Sequence, residues 1–290
     1  MSRFVLSNLH THTQFCDGQS SMEETAQAAV AAGLCVLGFS PHSPADYDDV
    51  AMSASSVSNF LAEVARLRKM YAGRLTILAG MEQDALAPTD SYGALAPSGS
   101  HGALVPTGSY GLDYTIGAVH YIRDAFGGIH CVDHTLEKLA YAIEAFGSVQ
   151  AAVTAYVDTY VAMLGAYRPL IAGHMDIITK LNAGNYFFNP DSDWYRKAEK
   201  TLAKAVSESG VIAEVNTAGM ARPGSQPYPG TNLLHRLYTL GVPVTLSSDA
   251  HCARDIIRFF PSAIDLLRDV GFTSIKIFGP DGFYDQSLNF

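Results

Sequence analysis

The chain has 290 residues, 48% of them hydrophobic and 16% charged, so it can bury a large core in one or two domains. Its formal net charge is −9, and no run of Lys or Arg stands out, so nucleic acid and membranes are not expected partners. Local cations could still bind a small anionic substrate. The four scattered cysteines form no Cys-x-x-Cys pair, and we find neither a secretory signal nor an apolar run of bilayer length. We therefore expect reduced thiols and a cytoplasmic location.

Short apolar runs alternate with stretches of helical periodicity along the chain. The predicted strands cover residues 4–6, 35–39, 75–79, 114–119, 170–173, 211–215, 242–247 and 274–278. The predicted helices cover residues 25–32, 55–71, 136–146, 149–164, 192–209 and 255–270. Strands that alternate with helices form parallel sheets, and seven or eight such units favour a closed barrel. We therefore expect an α/β barrel that forms one domain over residues 1–290.

The first predicted strand runs into His10-Thr11-His12, and Asp17-Gly18 follows shortly after. Residues two apart on a strand share a face, so the His10 and His12 imidazoles are expected side by side, where they can bind a metal ion. A tight turn at Gly18 would bring the Asp17 carboxylate to the same place. Taken alone, the pair fits equally well one exposed and one hydrogen-bonded histidine.

A Gly-, Pro- and Ser-rich segment follows the third predicted strand. Residues 91–99 are nearly repeated as residues 100–108, and a third copy begins at Ser109. This composition is typical of loops, and the repeated unit is too short for a solenoid. We therefore expect an expanded surface loop at about 88–111, in which His101 is exposed to solvent; a lid over the site is the alternative.

Five of the later strands are each followed by side chains that can bind a metal ion. These residues are His42, Glu82, His120, His174, Asp249 and His251. The carboxyl ends of parallel barrel strands meet on the face that carries active sites, so we expect them to converge with His10, His12 and Asp17. Mixed imidazole and carboxylate ligands favour two or three divalent ions of zinc, manganese or iron over calcium.

Other polar residues lie near the same predicted face. Arg222 follows the sixth strand in a Gly- and Pro-rich loop, where its guanidinium could bind phosphate; an ordinary surface arginine is the alternative. Glu214 and Asn216 share one face of that strand, and they could bind a substrate's amine, orient metal ligands or make structural hydrogen bonds. His130, Asp133 and His134 form a further candidate cluster, which the solvated start of a helix explains equally well.

Together these motifs resemble the polymerase-and-histidinol-phosphatase (PHP) superfamily, and within it the histidinol-phosphate phosphatase branch. The motifs are His-x-His with Asp-Gly at 10–18, Pro-His-Ser at 41–43, Gly-Met-Glu at 80–82, Ile-Gly-Ala-Val-His at 116–120, Gly-His-Met-Asp at 173–176, Glu-Val-Asn-Thr-Ala-Gly at 214–219 and Ser-Asp-Ala-His at 248–251. The resemblance to the branch rests on residues 214–222, on Tyr228-Pro229 and on the chain length. The repeated loop and Pro223, where a basic residue is common, depart from the family's pattern.

The resemblance implies a distorted (β/α)7 barrel with a trinuclear metal site. One ion would be held by His10, His12, Glu82 and Asp249, a second by Glu82, His120 and His174, and a third by Asp17, His42 and His251.

The same resemblance implies a metal-dependent phosphomonoesterase that hydrolyses L-histidinol phosphate, a small phosphorylated substrate, by attack of a metal-bound hydroxide. Asp17, His42 and His251 would be the catalytic residues, and Asp17 or a metal-bound water would protonate the leaving alkoxide. The alternative enzyme is a superfamily phosphoesterase that acts on nucleotides, phosphodiesters or phosphotyrosine. Outside enzymes, the alternative is an inactive metal-binding scaffold.

Overall fold

The fold is that of a computed structural model, which describes residues 5–87, 111–166, 168–222, 224–279 and 282–289. The predicted loop at 88–111 therefore lies, apart from its last residue, outside the described residues, and so does Pro223. Among the helices that are described, none combines the length and the apolar character that crossing a bilayer requires.

Short strands alternate with helices through the described residues. The strands are Leu6–Asn8 (β1), Leu34–Phe39 (β2), Thr76–Ala79 (β3), Glu82–Asp84 (β4), Ile116–Ala118 (β5), Tyr121–Arg123 (β6), Ile129–Cys131 (β7), Ile171–Ala172 (β8), Ile212–Asn216 (β9), Val244–Ser247 (β10), Ser274–Gly279 (β11) and Gly282–Ser287 (β12). The helices are Met22–Ala31 (α1), Val57–Met70 (α2), Leu136–Ala145 (α3), Val149–Ala166 (α4), Asp193–Ser209 (α5), Thr231–Thr239 (α6) and Phe260–Val270 (α7).

The barrel wall consists of parallel strands in two hydrogen-bonded groups, β1-β2-β3 and β4-β5-β8-β9-β10. β3 and β4 occupy a single strand position, because only two residues separate them. Backbone bridges between His42 and Glu82 and between Thr11 and Ala250 join the two groups on both sides. Eight strands, two of which share a position, thus give seven positions in a closed wall. The prediction of an α/β fold of the distorted (β/α)7 type is confirmed.

The helices begin at recognisable caps and pack on the barrel by their apolar faces. At the start of α1, the Glu24 N–H donates to Ser21 Oγ at 3.2 Å and the Ser21 N–H donates to the Glu24 carboxylate at 2.8 Å. α7 buries Phe260, Ile264 and Leu267, which helical spacing places on one face. Full burial of one such side chain stabilises the fold by roughly 1.5–3 kcal/mol.

Several elements differ from the sequence prediction. β1 lies two residues later than predicted. β11 pairs antiparallel with β12, because the short connection between them allows a hairpin and no helical crossover. α7 begins at Phe260 instead of Asp255, since Phe259 has a φ of 61° and Pro261 suits the first helical turn. α6 and the β6–β7 hairpin are too short to give a clear periodicity, so the sequence does not predict them.

The fully buried Tyr114 ties strand ends together below the face that carries the predicted site. Its phenol donates a hydrogen bond to the carbonyl of Leu9, the residue before His10. Its ring occupies the space beside Gly80, where a Cβ atom would lie 2.2 Å from the ring Cζ. Only glycine therefore fits at position 80 while the Tyr114 ring stays in place.

We expect Gly80→Ala to destabilise the protein by roughly 1–3 kcal/mol, because the added methyl group overlaps the Tyr114 ring. The free energy of unfolding in urea measures this effect. Gly165→Ala is the matched control, since Gly165 lies in the last turn of α4 and its added Cβ would meet no other part of the described structure within 4 Å. The control should be neutral or stabilising by up to about 1 kcal/mol. Equal stabilities of the two variants would contradict the packing argument.

Candidate metal centre

The carboxyl ends of six strand positions bring the predicted ligand side chains together on one face. His10 and His12 follow β1, His42 follows β2, Glu82 opens β4, His120 follows β5, His174 follows β8, and Asp249 and His251 follow β10. Asp17 joins them from the turn after β1. Within four overlapping groups of these residues, the potential ligand atoms lie within 4.8 Å of one another. The structure thus brings all nine predicted ligands into one cluster.

The Glu82 carboxylate lies at the centre of this cluster, and only 1% of its side chain is exposed. The distances from Oε1 are 2.6 Å to His174 Nε2 and 3.0 Å to His120 Nε2. The distances from Oε2 are 3.0 Å to His42 Nδ1, 3.4 Å to His10 Nε2 and 3.6 Å to His12 Nε2. A carboxylate with imidazoles at both oxygens can bridge two metal ions.

Asp17 forms the second part of the cluster. The distances from its carboxylate are 3.1 Å to His251 Nε2, 3.2 Å to His12 Nδ1 and 3.9 Å to His42 Nε2. The turn that places it closes with a hydrogen bond of 3.0 Å from the Gly18 N–H to the Thr13 carbonyl. A Cβ at Gly18 would lie 2.5 Å from the Thr13 nitrogen, so this turn requires glycine. The structure brings Asp17 back to the histidines by the turn that the sequence predicts.

The three predicted catalytic side chains are the more accessible members of the cluster. His42, Asp17 and His251 are 12%, 27% and 37% exposed, whereas His10 and Glu82 are almost fully buried. A cavity of about 120 Å³ opens above the cluster, and all three side chains line it. Their position suits contact with a small substrate, and their catalytic role stays a prediction.

Several buried polar atoms of the cluster have no hydrogen-bond partner among the described residues. They include His10 Nε2, Asp17 Oδ1, Glu82 Oε2 and Asp249 Oδ1. Buried polar atoms are nearly always satisfied in folded proteins, so atoms of this kind indicate a missing ligand. His10 Nε2 lies 3.4 Å from Glu82 Oε2 and 3.7 Å from Asp249 Oδ1, and a cation between them would satisfy all three. This donor set therefore fits divalent metal ions.

Glu214 and Asn216 contact the ligand candidates. The Glu214 carboxylate lies 2.6 Å from His10 Nδ1 and accepts the His174 N–H at 2.7 Å. Asn216 Nδ2 donates to Glu214 and to Asp249, at 3.1 Å each. Neither side chain is exposed. Of the roles left open by the sequence, these contacts favour orientation of the ligands. A contact with the substrate stays a prediction for both residues.

Two further residues lie near the cluster: Asp133, which the sequence analysis left open, and Lys180, which it missed. Asp133 is buried, and its Oδ2 lies 3.3 Å from His120 Nδ1 and 3.2 Å from Lys180 Nζ. Lys180 lines the cavity above the cluster. Its distance of four residues from the Gly-His-Met-Asp motif is the signal that could have found it. Arg222, the predicted phosphate ligand, is exposed and donates a hydrogen bond to the Lys180 carbonyl.

Opposite charges outweigh burial in setting the pKa values of the cluster. Burial alone would lower the pKa of His10, but Glu214 and Asp249 raise it well above its ordinary value of 6.5. Burial alone would raise the pKa of Glu82, but His10 and His42 hold it well below its usual range. For His10 and Glu82, attraction between opposite charges therefore outweighs the cost of burial.

Known proteins resemble this chain in sequence or in fold over most of its length. A probable histidinol-phosphatase of Deinococcus radiodurans is 29% identical over 273 residues, which cover 92% of this chain and 94% of that protein. The histidinol-phosphatase of Bacillus subtilis is 28% identical over 270 residues, which cover 85% of this chain and 94% of that protein. The histidinol phosphate phosphatase of Lactococcus lactis, solved with zinc, L-histidinol and phosphate, superposes with a TM-score of 0.69 at 18% identity. That superposition covers 96% of this chain and 98% of the other, so the two proteins share a fold.

The family match includes most of the strands that build the centre. The PHP domain family matches residues 8–218, which are more than two thirds of the chain. This range begins at the end of β1 and extends beyond β9, so it contains seven of the nine ligand candidates; Asp249 and His251 follow it. The chain therefore belongs to the PHP domain family.

Proposed function

We propose that this protein is a metal-dependent phosphomonoesterase that hydrolyses L-histidinol phosphate to L-histidinol and phosphate, a step of histidine biosynthesis. The observation that carries the proposal is the buried Glu82 carboxylate, which five imidazoles surround at the carboxyl ends of barrel strands. A centre of this kind suits the hydrolysis of phosphate esters. The Deinococcus and Bacillus relatives support histidinol as the organic half of the substrate, since they are named histidinol-phosphatases and match along most of the chain.

Two or three divalent ions would be held by the nine clustered side chains. The first would be bound by His10, His12, Glu82 and Asp249, the second by Glu82, His120 and His174, and the third by Asp17, His42 and His251. Bound ions would lower the pKa of coordinated water and polarise the phosphoryl oxygens. The zinc in the Lactococcus structure supports zinc here, and manganese or iron would suit the same donors.

Asp17 is suited to carry a proton during the reaction. Hydrolysis forms a bond between phosphorus and the water oxygen and breaks the bond between phosphorus and the alcohol oxygen. The Asp17 carboxylate lines the cavity above the cluster, where it can reach a bound substrate. It can accept the proton of the attacking water and then donate that proton to the departing alkoxide.

The phosphate group would be held by cations beside the centre. The Lys180 ammonium lies at the edge of the cavity, where Asp133 fixes it at 3.2 Å. Arg222 supports this position through its hydrogen bond to the Lys180 carbonyl. We therefore infer that Lys180 makes the closer phosphate contact and that Arg222 approaches the phosphate from the exposed side.

We also propose that the chain acts as one domain in the cytoplasm. The bridge between Thr11 and Ala250 supports one domain, because it closes the barrel between distant parts of the chain. All four cysteines are free thiols, which supports a reducing compartment.

The test of the proposed function compares three substrates on protein reconstituted separately with zinc, manganese and iron. We expect kcat/KM for L-histidinol phosphate to exceed that for p-nitrophenyl phosphate and for a nucleoside bisphosphate by about a hundredfold or more. Similar weak rates on all three would reject the histidine-pathway substrate and keep the phosphoesterase. No turnover with any metal would reject the catalytic proposal as a whole.

We expect Glu82→Gln to lower kcat by more than about a hundredfold, because it removes the negative charge at the centre of the cluster. Loss of a residue that only orients metal ligands costs at most about a hundredfold. The metal content, measured by plasma mass spectrometry, should fall as well. Glu208→Gln is the matched control, since this carboxylate on α5 is 67% exposed. Full metal content and full activity in Glu82→Gln would remove Glu82 from the centre.

Metal binding to chelator-treated protein should release protons near neutral pH. The pKa values of His10, His12 and His120 are raised although burial alone would lower them, so these imidazoles are protonated before metal binds. In the metal-free protein their pairing stabilises the fold fully below pH 6.5, and this contribution is lost as the pH rises through the raised pKa values. Metal affinity should therefore increase with pH.

Calorimetry in buffers of different ionisation enthalpy measures the proton release. The observed binding enthalpy should depend on the buffer for the native protein. An enthalpy that is the same in all buffers would show that the histidines are already neutral, and it would contradict this prediction.

A further inference from the structure

A second cavity, of about 280 Å³, lies beside the metal centre on the same face of the barrel. Its walls come mainly from the segments that follow β8 and β9, the strands that place His174 and Glu214 in the cluster. Lys180 lines this cavity and also the cavity above the cluster, so the two spaces adjoin. Loops at the carboxyl ends of barrel strands are where substrates are recognised in this architecture.

The lining of this second cavity contains charges of both signs. Lys180, which also lines the cavity above the cluster, and Arg222 contribute cations to its lining, and Asp176 and Glu199 contribute carboxylates. These carboxylates belong to buried residues, with exposures of 6% for Asp176 and 7% for Glu199. A space with both cations and buried carboxylates is complementary to a ligand that carries phosphate at one end and protonated nitrogen at the other.

The two carboxylates have unused acceptor capacity within the described residues. Asp176 Oδ2 accepts the Gly230 N–H at 2.8 Å, but the buried Oδ1 has no hydrogen-bond partner. Glu199 Oε2 has no hydrogen bond either, and it lies 3.5 Å from Arg236 Nε in an ion pair of poor geometry. Buried carboxylate oxygens without donors are unfavourable, and N–H groups of a bound ligand would satisfy them.

The remaining walls suit a flat ring. Tyr195 and Tyr228 line the cavity and are largely removed from solvent. Aromatic side chains pack well against planar rings and still offer a hydroxyl group at the edge. A small ring with N–H groups would therefore find both packing surfaces and acceptors here.

We propose that this cavity binds the cationic organic half of the substrate, with Asp176 and Glu199 accepting hydrogen bonds from its imidazolium and ammonium groups. The phosphate then lies at the metal centre beside Lys180. This inference rests on the proposed function, and it adds the residues that select an aminoalkyl imidazole over other phosphomonoesters. These are binding residues, and the phosphoryl chemistry does not involve them.

The experiment uses the metal-loaded full chain with Glu199→Gln and with Asp176→Asn. Asp193→Asn is the matched control, because it is an exposed carboxylate on the same helix as Glu199. Calorimetry gives the dissociation constants of L-histidinol and of inorganic phosphate, and kinetics give kcat/KM for L-histidinol phosphate and p-nitrophenyl phosphate. In each test variant, L-histidinol should bind about tenfold more weakly relative to phosphate, as the loss of a charged hydrogen bond requires. The preference for L-histidinol phosphate over p-nitrophenyl phosphate should fall by about the same factor.

The outcomes separate this inference from the proposed function. A native protein that hydrolyses L-histidinol phosphate, with test variants that keep its full preference, would overturn the inference alone. A native protein that hydrolyses only p-nitrophenyl phosphate and binds no L-histidinol would overturn both. Circular dichroism reports whether the variants fold. If Asp176→Asn does not fold, Glu199→Gln decides, since it changes the charge and keeps the shape of the side chain.

Discussion

The structure depends on one constraint, the almost complete burial of the Glu82 carboxylate. A buried charge is tolerated only when neighbouring groups compensate it. Glu82 meets this requirement with imidazoles from several strand ends, and no single strand could supply them. The parallel barrel provides what the carboxylate needs, because it brings the ends of all its strands to one face. The chemistry of the centre and the architecture of the wall therefore support each other.

Two histidines of this centre, His10 and His120, each contact a second carboxylate through the ring nitrogen that faces away from Glu82. His10 turns Nδ1 to Glu214 and Nε2 to Glu82, and His120 turns Nδ1 to Asp133 and Nε2 to Glu82. An outer carboxylate on one ring nitrogen fixes the orientation of the ring and leaves the other nitrogen facing inward. These two predicted ligands are thus oriented by contacts within the protein itself.

The sequence predicts the centre better than its surroundings, for physical reasons. His42, Glu82 and His174 are found because each follows an apolar strand, and strand ends must converge in a barrel. The role of Asp133 stayed open and Lys180 was missed, because the short hairpin before Asp133 and the single helical turn before Lys180 have no clear periodicity. Strand β11 resembles a barrel strand by composition, and only the neighbouring β12 shows that it forms a hairpin. Local patterns therefore predict elements and their ends, whereas tertiary partners decide which polar residues meet.

The bridge between Thr11 and Ala250 has a consequence for the order of events during synthesis. The first ligand candidates, His10 and His12, are synthesised early, but Asp249 and His251 are added only when about six sevenths of the chain has been made. Until then the early histidines lack partners from the closing strand, and the wall has an open edge beside β1. Contacts between such distant parts of a chain form late in folding. A nascent chain that stops before residue 249 therefore contains seven of the nine ligand candidates beside an unpaired strand.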